Sequence, residues 1–201
     1  MGIKEIAKKT WKFIWKDDSI WSWLVSLALA FIIVKFVFFP LLSLTLATSL
    51  PLVVVESESM HHPGSFVGNT IGLQDSFETW WNQEGSWYES FGIDKAQAEN
   101  WKLRTGLEKG DIVLVTGHSE PEVGDVVIFN AGQTYPIIHR VISIEETPNG
   151  KVYQTKGDNN QVQLYFERDV SENVVIGKAL FRIPKLGWLK LAFVELIKAF
   201  R

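Results

Sequence analysis

The chain contains no cysteine among its 201 residues. That excludes a disulfide framework, a thiolate nucleophile and a cysteine-ligated zinc, so any part exposed outside the cytoplasm must rely on its own apolar core. It also lacks a basic excess, with 20 Lys and Arg against 23 Asp and Glu. Five lysines, Lys4, Lys8, Lys9, Lys12 and Lys16, crowd the first residues against only Glu5, Asp17 and Asp18. The remainder is therefore more acidic than the whole, which makes nucleic acid a poor partner. Charge is nearly missing from Ile20 to Phe39, where Lys35 is the lone ionisable residue.

At about 1.5 Å per residue, a helix over residues 20–39 spans the roughly 30 Å hydrocarbon core of a bilayer. Lys35 lies near its far end, where the ammonium can snorkel. A buried core helix of this length normally shows a polar face. A cleaved leader has an apolar region of roughly 7–15 residues followed by small ones. Here Phe36, Val37, Phe38, Phe39 and Pro40 continue the bulky run. The N-terminal lysines predict a cytoplasmic N-terminus, with everything after Pro40 outside the cell membrane. Trp11, Trp15, Trp21 and Trp23 flank the entrance to the span, where indoles favour the headgroup layer. A second apolar piece, Leu41 to Val55, is compatible with a longer helix reaching about residue 50, an interfacial re-entry or the start of a strand.

Beyond it, short β-branched runs alternate with turn residues, which predicts a mainly β fold, a small antiparallel domain over 51–185. The expected strands are Pro51–Glu56, Asp111–Val115, Asp125–Asn130, Pro136–Glu146, Lys151–Lys156 and Val174–Phe181. Pro148-Asn149-Gly150 reads as a hairpin turn, and Asp111 and Asp125, each after a glycine, read as turn residues. The stretch 64–109 is an aromatic-rich insertion with Phe77, Trp80, Trp81, Trp87, Tyr88, Phe91 and Trp101, readable as an interfacial or lid element or as packing over the β core. Residues 1–19 form the cytoplasmic segment, and 186–201 an amphipathic helix too short and too charged to span.

For chemistry, Ser59 in Glu56-Ser57-Glu58-Ser59-Met60 follows the apolar stretch closely. A serine hydroxyl needs a base. His61 and His62 stand too near along the chain to aim a ring at it and have no third metal ligand at a familiar spacing, and His118 lies in a solvated loop. His139 interrupts the apolar strand Pro136–Ile142, a rigid platform for a base. Asp158, in Lys156-Gly157-Asp158-Asn159-Asn160, is the candidate carboxylate to orient it. Each has a plainer reading: Ser59 as a turn or cap residue, His139 as a half-exposed strand side chain, Asp158 as a turn former.

Taken in order, Ser59-Met60, Lys109-Gly110-Asp111-Ile112-Val113, Val123–Phe129, Pro136–Ile142 and Thr155–Asn160 resemble the boxes of type I signal peptidases, and Ile183–Gly187 resembles their closing strand and turn. Histidine at 139, where bacterial enzymes carry lysine, resembles the archaeal and endoplasmic-reticulum branch. The resemblance implies a signal-peptidase-type fold in which Ser59 is the nucleophile and His139 the general base. It makes Asp158 the supporting acid, and Ser57 with the Ser59 N–H the oxyanion hole. Met60 and Ile138 would line the substrate site. It implies no cofactor and no metal. The partners it implies are preprotein signal peptides, membrane lipid and secretion-machinery subunits, without nucleic acid.

Three departures stand out. Gln163 occupies the place of a second aspartate, leaving Asp158 alone for the acidic role. His61-His62-Pro63 carries one extra residue, and the aromatic insertion is long. A non-catalytic or narrow-specificity relative that binds or trims selected signal segments is the alternative.

Overall fold

The computed structural model describes residues 2–64 and 76–199. Residues 65–75 of the aromatic insertion, and Phe200 and Arg201 of the tail, lie outside the described residues. The chain divides into two compact units, residues 1–45 and 46–201.

The first unit is helical. In α1 (Ile3–Lys16), Ile3, Ile6, Phe13 and Ile14 fall on one side and Lys4, Lys8, Lys12 and Lys16 on the other. The Ser19 hydroxyl then caps a new start by accepting from the Ser22 N–H at 3.3 Å. Helical structure runs 27 residues from Ile20 to Leu46, long and apolar enough to cross a membrane. It comprises α2 (Ile20–Ile33), a π segment (Val34–Phe38) and α3 (Phe39–Leu46). Pro40 has no N–H and crowds the carbonyl four residues earlier, and the wider π turn just before it relieves that conflict. Of the three readings of Leu41 to Val55, the chain takes two in turn: helix to Leu46, then strand from Leu52.

The second unit is a seven-stranded sheet in the order β1-β2-β7-β3-β4-β5-β6. Its strands are β1 (Leu52–Val54), β2 (Ile112–Thr116), β3 (Val126–Phe129), β4 (Ile137–Thr147), β5 (Gly150–Lys156), β6 (Val170–Ser171) and β7 (Val175–Ile183). All neighbours are antiparallel. The mainly β fold expected from alternation is the one observed. Pro148-Asn149-Gly150 closes the β4–β5 hairpin, with Thr147 opposite Gly150. Asp111 and Asp125 are turn residues, accepting from the N–H groups of Glu108 and Glu122.

Strand β3 is covered on both faces, which explains its unbroken apolar run. Val126 and Ile128 join Val55, Met60, Leu107, Val113, Val115 and Ala179 in one core. Val127 and Phe129 join Val141, Tyr153 and Val170 in another. A third cluster comes from the insertion, where α4 (Ser76–Glu89) and α5 (Lys95–Glu99) bring Phe77, Trp80, Trp81, Tyr88, Ile93 and Ala98 onto Ile142. Phe77, Trp80 and Tyr88 are buried and pack over the β domain, while Phe91 is exposed. The last helix, α6 (Trp188–Ala199), sets Trp188 over Gly110, while Leu189, Phe193 and Leu196 are exposed.

Candidate active site

Strand alternation splits the polar pair at the centre of β4. His139 shares a face with Ile137 and Val141, and Arg140 points the opposite way, with Ile138 and Ile142. One residue of the pair therefore meets the serine, while the other enters the packing beneath the aromatic insertion.

Ser59 sits in the loop after β1, half-buried. That loop is fastened from both sides. The Leu107 N–H donates to the Met60 carbonyl at 2.8 Å, and the Asn159 N–H to the Ser59 carbonyl at 2.8 Å. The Asn159 side chain donates to the Glu58 carbonyl at 3.0 Å. The Ser59 Oγ lies 3.0 Å from His139 Nε2. Ser57 Oγ is 3.1 Å from Ser59 Oγ. The structure thus brings Ser57, Ser59 and His139 together across 80 residues of sequence.

The Nδ1 of His139 contacts the carboxylate of Glu167, not that of Asp158. Because a carboxylate only accepts, Nδ1 carries the proton and the Nε2 lone pair faces the serine hydroxyl. Gly157 borders the same ring: a Cβ there would fall 2.8 Å from His139 Nε2 and 2.6 Å from Asn160 Nδ2. No side chain fits at that position without displacing the imidazole.

Asp158, expected beside His139, is fully buried in a different network. Its Oδ1 accepts from Arg140 Nε at 2.9 Å and from the Tyr88 hydroxyl at 3.0 Å. Its Oδ2 accepts from Arg140 Nη2 at 2.6 Å and from His62 Nε2 at 2.9 Å. The remaining Arg140 donors go to the carbonyls of Lys102, Leu103 and Gly124. The physical reason for the difference is β4 itself: Arg140 lies on the face opposite His139 and captures the carboxylate there. Burial alone would raise the Asp158 pKa, but the Arg140 charge and the hydrogen bonds from His62 and Arg140 outweigh it and hold the carboxyl far below the usual range. Burial and the Asp158 charge push the Tyr88 hydroxyl well up, so it remains a donor.

His62, in the turn after Met60, is drawn inward. Its ring stacks on Trp80 with centroids 4.3 Å apart and planes 9° apart. Burial lowers its pKa despite the hydrogen bond to Asp158, which keeps it neutral with the proton on Nε2. His61 instead pairs with Glu108 at 2.7 Å. Met60 is buried in the core, its sulfur accepting from the Asp158 N–H at 3.4 Å, and Ile138 is half-buried against the same cluster. Sequence reasoning missed Glu167 and Arg140. Arg140 was visible as a charge inside an apolar strand, whereas Glu167 sits in a short 3-10 turn, Tyr165–Glu167, that has no periodic signal.

No family model matches the chain. It is 33% identical over 98 residues to the signal peptidase complex catalytic subunit SEC11C of Homo sapiens, covering 44% of this chain and 51% of that protein. It is 31% identical over 104 residues to the signal peptidase complex catalytic subunit SEC11 of Yarrowia lipolytica, covering 46% and 59%. The corresponding subunit of Scheffersomyces stipitis is 30% identical over 101 residues, covering 46% and 61%. The chain spans about half the length of the human relative it matches. These relatives are mammalian and fungal, so the archaeal half of the expectation rests on the motif resemblance alone. A serine–histidine pair at the end of a β1 loop, on a mainly β domain, thus occurs in a chain whose homologues are named catalytic subunits of signal peptidase.

Proposed function

We propose that this protein is a membrane-anchored serine endopeptidase that removes N-terminal signal peptides from secreted and membrane preproteins. The observation that carries the reading is the 3.0 Å approach of Ser59 Oγ to His139 Nε2, with the other ring nitrogen held by a carboxylate. In the proposed reaction His139 Nε2 takes the Ser59 proton as Oγ attacks the scissile carbonyl. The imidazolium then returns that proton to the leaving amine, and water repeats the cycle on the acyl-enzyme. The Ser59 N–H and the Ser57 hydroxyl are the proposed oxyanion donors, each of a kind whose loss costs about 3 kcal/mol of transition-state stabilisation.

The substrate is an extended peptide with small residues before the cut. In β4, Ile137, Ile138 and His139 pair with β3, and the pairing to β5 begins only at Arg140. That leaves a strand edge beside Ser59 along which a peptide backbone can pair, with Ile138 and, from below, Met60 shaping the wall. The helix Ile20–Leu46 is the proposed single span, N-terminus cytoplasmic and the β domain outside the cell membrane, with lipid and secretion-machinery subunits as partners. Asp158 enters this reading as support for the loop that holds Ser59. No observation favours the non-catalytic alternative.

Ser59→Ala and His139→Ala are each expected to abolish cleavage of a preprotein by the full chain in lipid vesicles, with unfolding midpoints within error of the parent. Normal processing by either variant overturns the mechanism.

A further inference from the structure

We propose that Glu167 is the positioning carboxylate of His139, occupying in space the role that Gln163 leaves vacant in the sequence, while Asp158 serves only the fold. The inference rests on the serine–histidine reading above and deepens it.

Both oxygens of Asp158 are used by Arg140, His62 and Tyr88. The acid on the ring is Glu167, four residues beyond Gln163 and fully buried. Its Oε1 meets His139 Nδ1, and its Oε2 accepts from the Leu164 N–H at 2.6 Å. A buried carboxylate held by one backbone donor and one imidazole has its charge placed where an imidazolium forms during attack. Gln163 has become a brace for the turn. Its amide donates to the Thr155 carbonyl at 3.1 Å and to the Glu167 carbonyl at 3.2 Å, tying the Glu167 turn to β5. Phe166, between them in sequence, packs against the core that contains Val141 and Val127, on the His139 face of the sheet. The long Glu side chain thus reaches from a packed turn to the His139 ring.

The test compares the parent and Glu167→Gln as full chains in lipid nanodiscs. A preprotein substrate gives kcat and KM against pH, and proton spectra of imidazole-labelled protein report the hydrogen-bonded Nδ1 proton of His139. Glu167→Gln is expected to lower kcat on the order of 10³–10⁴-fold with KM nearly unchanged. Loss of the anion makes His139 easier to deprotonate, so the acid limb of kcat/KM moves to lower pH. The downfield Nδ1 proton signal is lost.

A Glu167→Gln protein with the parent acid limb and the parent Nδ1 signal overturns the proposal, whatever its rate. So does a loss of rate accompanied by a lowered unfolding midpoint and an unmoved limb, the signature of a merely structural residue. A parent that shows the Nδ1 signal, loses it in Glu167→Gln and cleaves no preprotein would sink the peptidase reading and leave the positioning contact standing.

Discussion

His62 illustrates how a single buried ring can couple the fold to pH. Burial depresses its pKa in the folded state below the ordinary 6.5, and the Asp158 hydrogen bond only partly opposes this. The folded state therefore holds His62 neutral while the unfolded chain takes up its proton. The stability from this residue is full above about pH 6.5 and is lost as pH falls from there toward the folded value, with a slope approaching about 1.4 kcal/mol per pH unit. Asp158 has the same sign but a lower window, because its loss begins only below about pH 4. Gln retains an N–H donor near the Nε2 position and does not titrate. His62→Gln is accordingly expected to flatten the dependence of the urea midpoint just below about pH 6.5. An unchanged slope in that variant would remove His62 as its source.

At the scale of the element, helix α4 acts as a strut on the loop Gly157–Asn160. Trp80 Nε1 donates to the Asp158 carbonyl at 2.9 Å, and the Tyr88 hydroxyl to its carboxylate at 3.0 Å. Buried Lys156 reaches Glu84 at 3.2 Å with its ammonium over the rings of Trp87 and Tyr88. The same loop carries the Asn159 N–H that holds the Ser59 carbonyl, so the insertion supports Ser59 through one intermediary. Tyr88→Phe keeps the ring packing and removes one donor to a charged acceptor, which is expected to cost about 1.5–3 kcal/mol in chemical unfolding. A cost near zero would mean that the hydroxyl contact is replaced on mutation.

The sequence patterns that revealed this domain were local ones. Alternation located six strands, the Pro148-Asn149-Gly150 turn located the hairpin, and the ordered boxes brought Ser59 and His139 to notice. What escaped depends on partners far away in the chain. The density of aromatics in 76–101 is the same for a lid and for a packed strut, and only Asp158 and Ile142 decide between them. Likewise Gly157-Asp158-Asn159 marks an acid near the site without saying which face of β4 it serves. Arg140 makes that choice.

For the whole molecule, the apolar clusters and hydrogen-bond partners of Ser59 among the described residues come from the chain after Leu46. The unit 46–201 should therefore fold without residues 1–45. Removing those residues is expected to leave its unfolding midpoint and its kcat/KM on a short soluble peptide unchanged in detergent. Cleavage of a vesicle-embedded preprotein should fall about 100-fold or more, because anchoring enzyme and substrate in one bilayer raises their effective concentration. A truncated protein that processes the embedded preprotein like the full chain would show that residues 1–45 contribute nothing to the encounter.

The separation of the two buried carboxylates has a consequence for how such a chain can change over time. With Asp158 bound by Arg140 on one side of β4 and Glu167 touching His139 on the other, substitutions around the first are expected to act through the loop that carries Asn159, and those around the second directly on the His139 ring. Where a single acid serves both ends, each gain in one trait is constrained by the other. On the proposed roles, a lineage carrying this arrangement can retune its imidazole without changing the carboxylate that braces the loop.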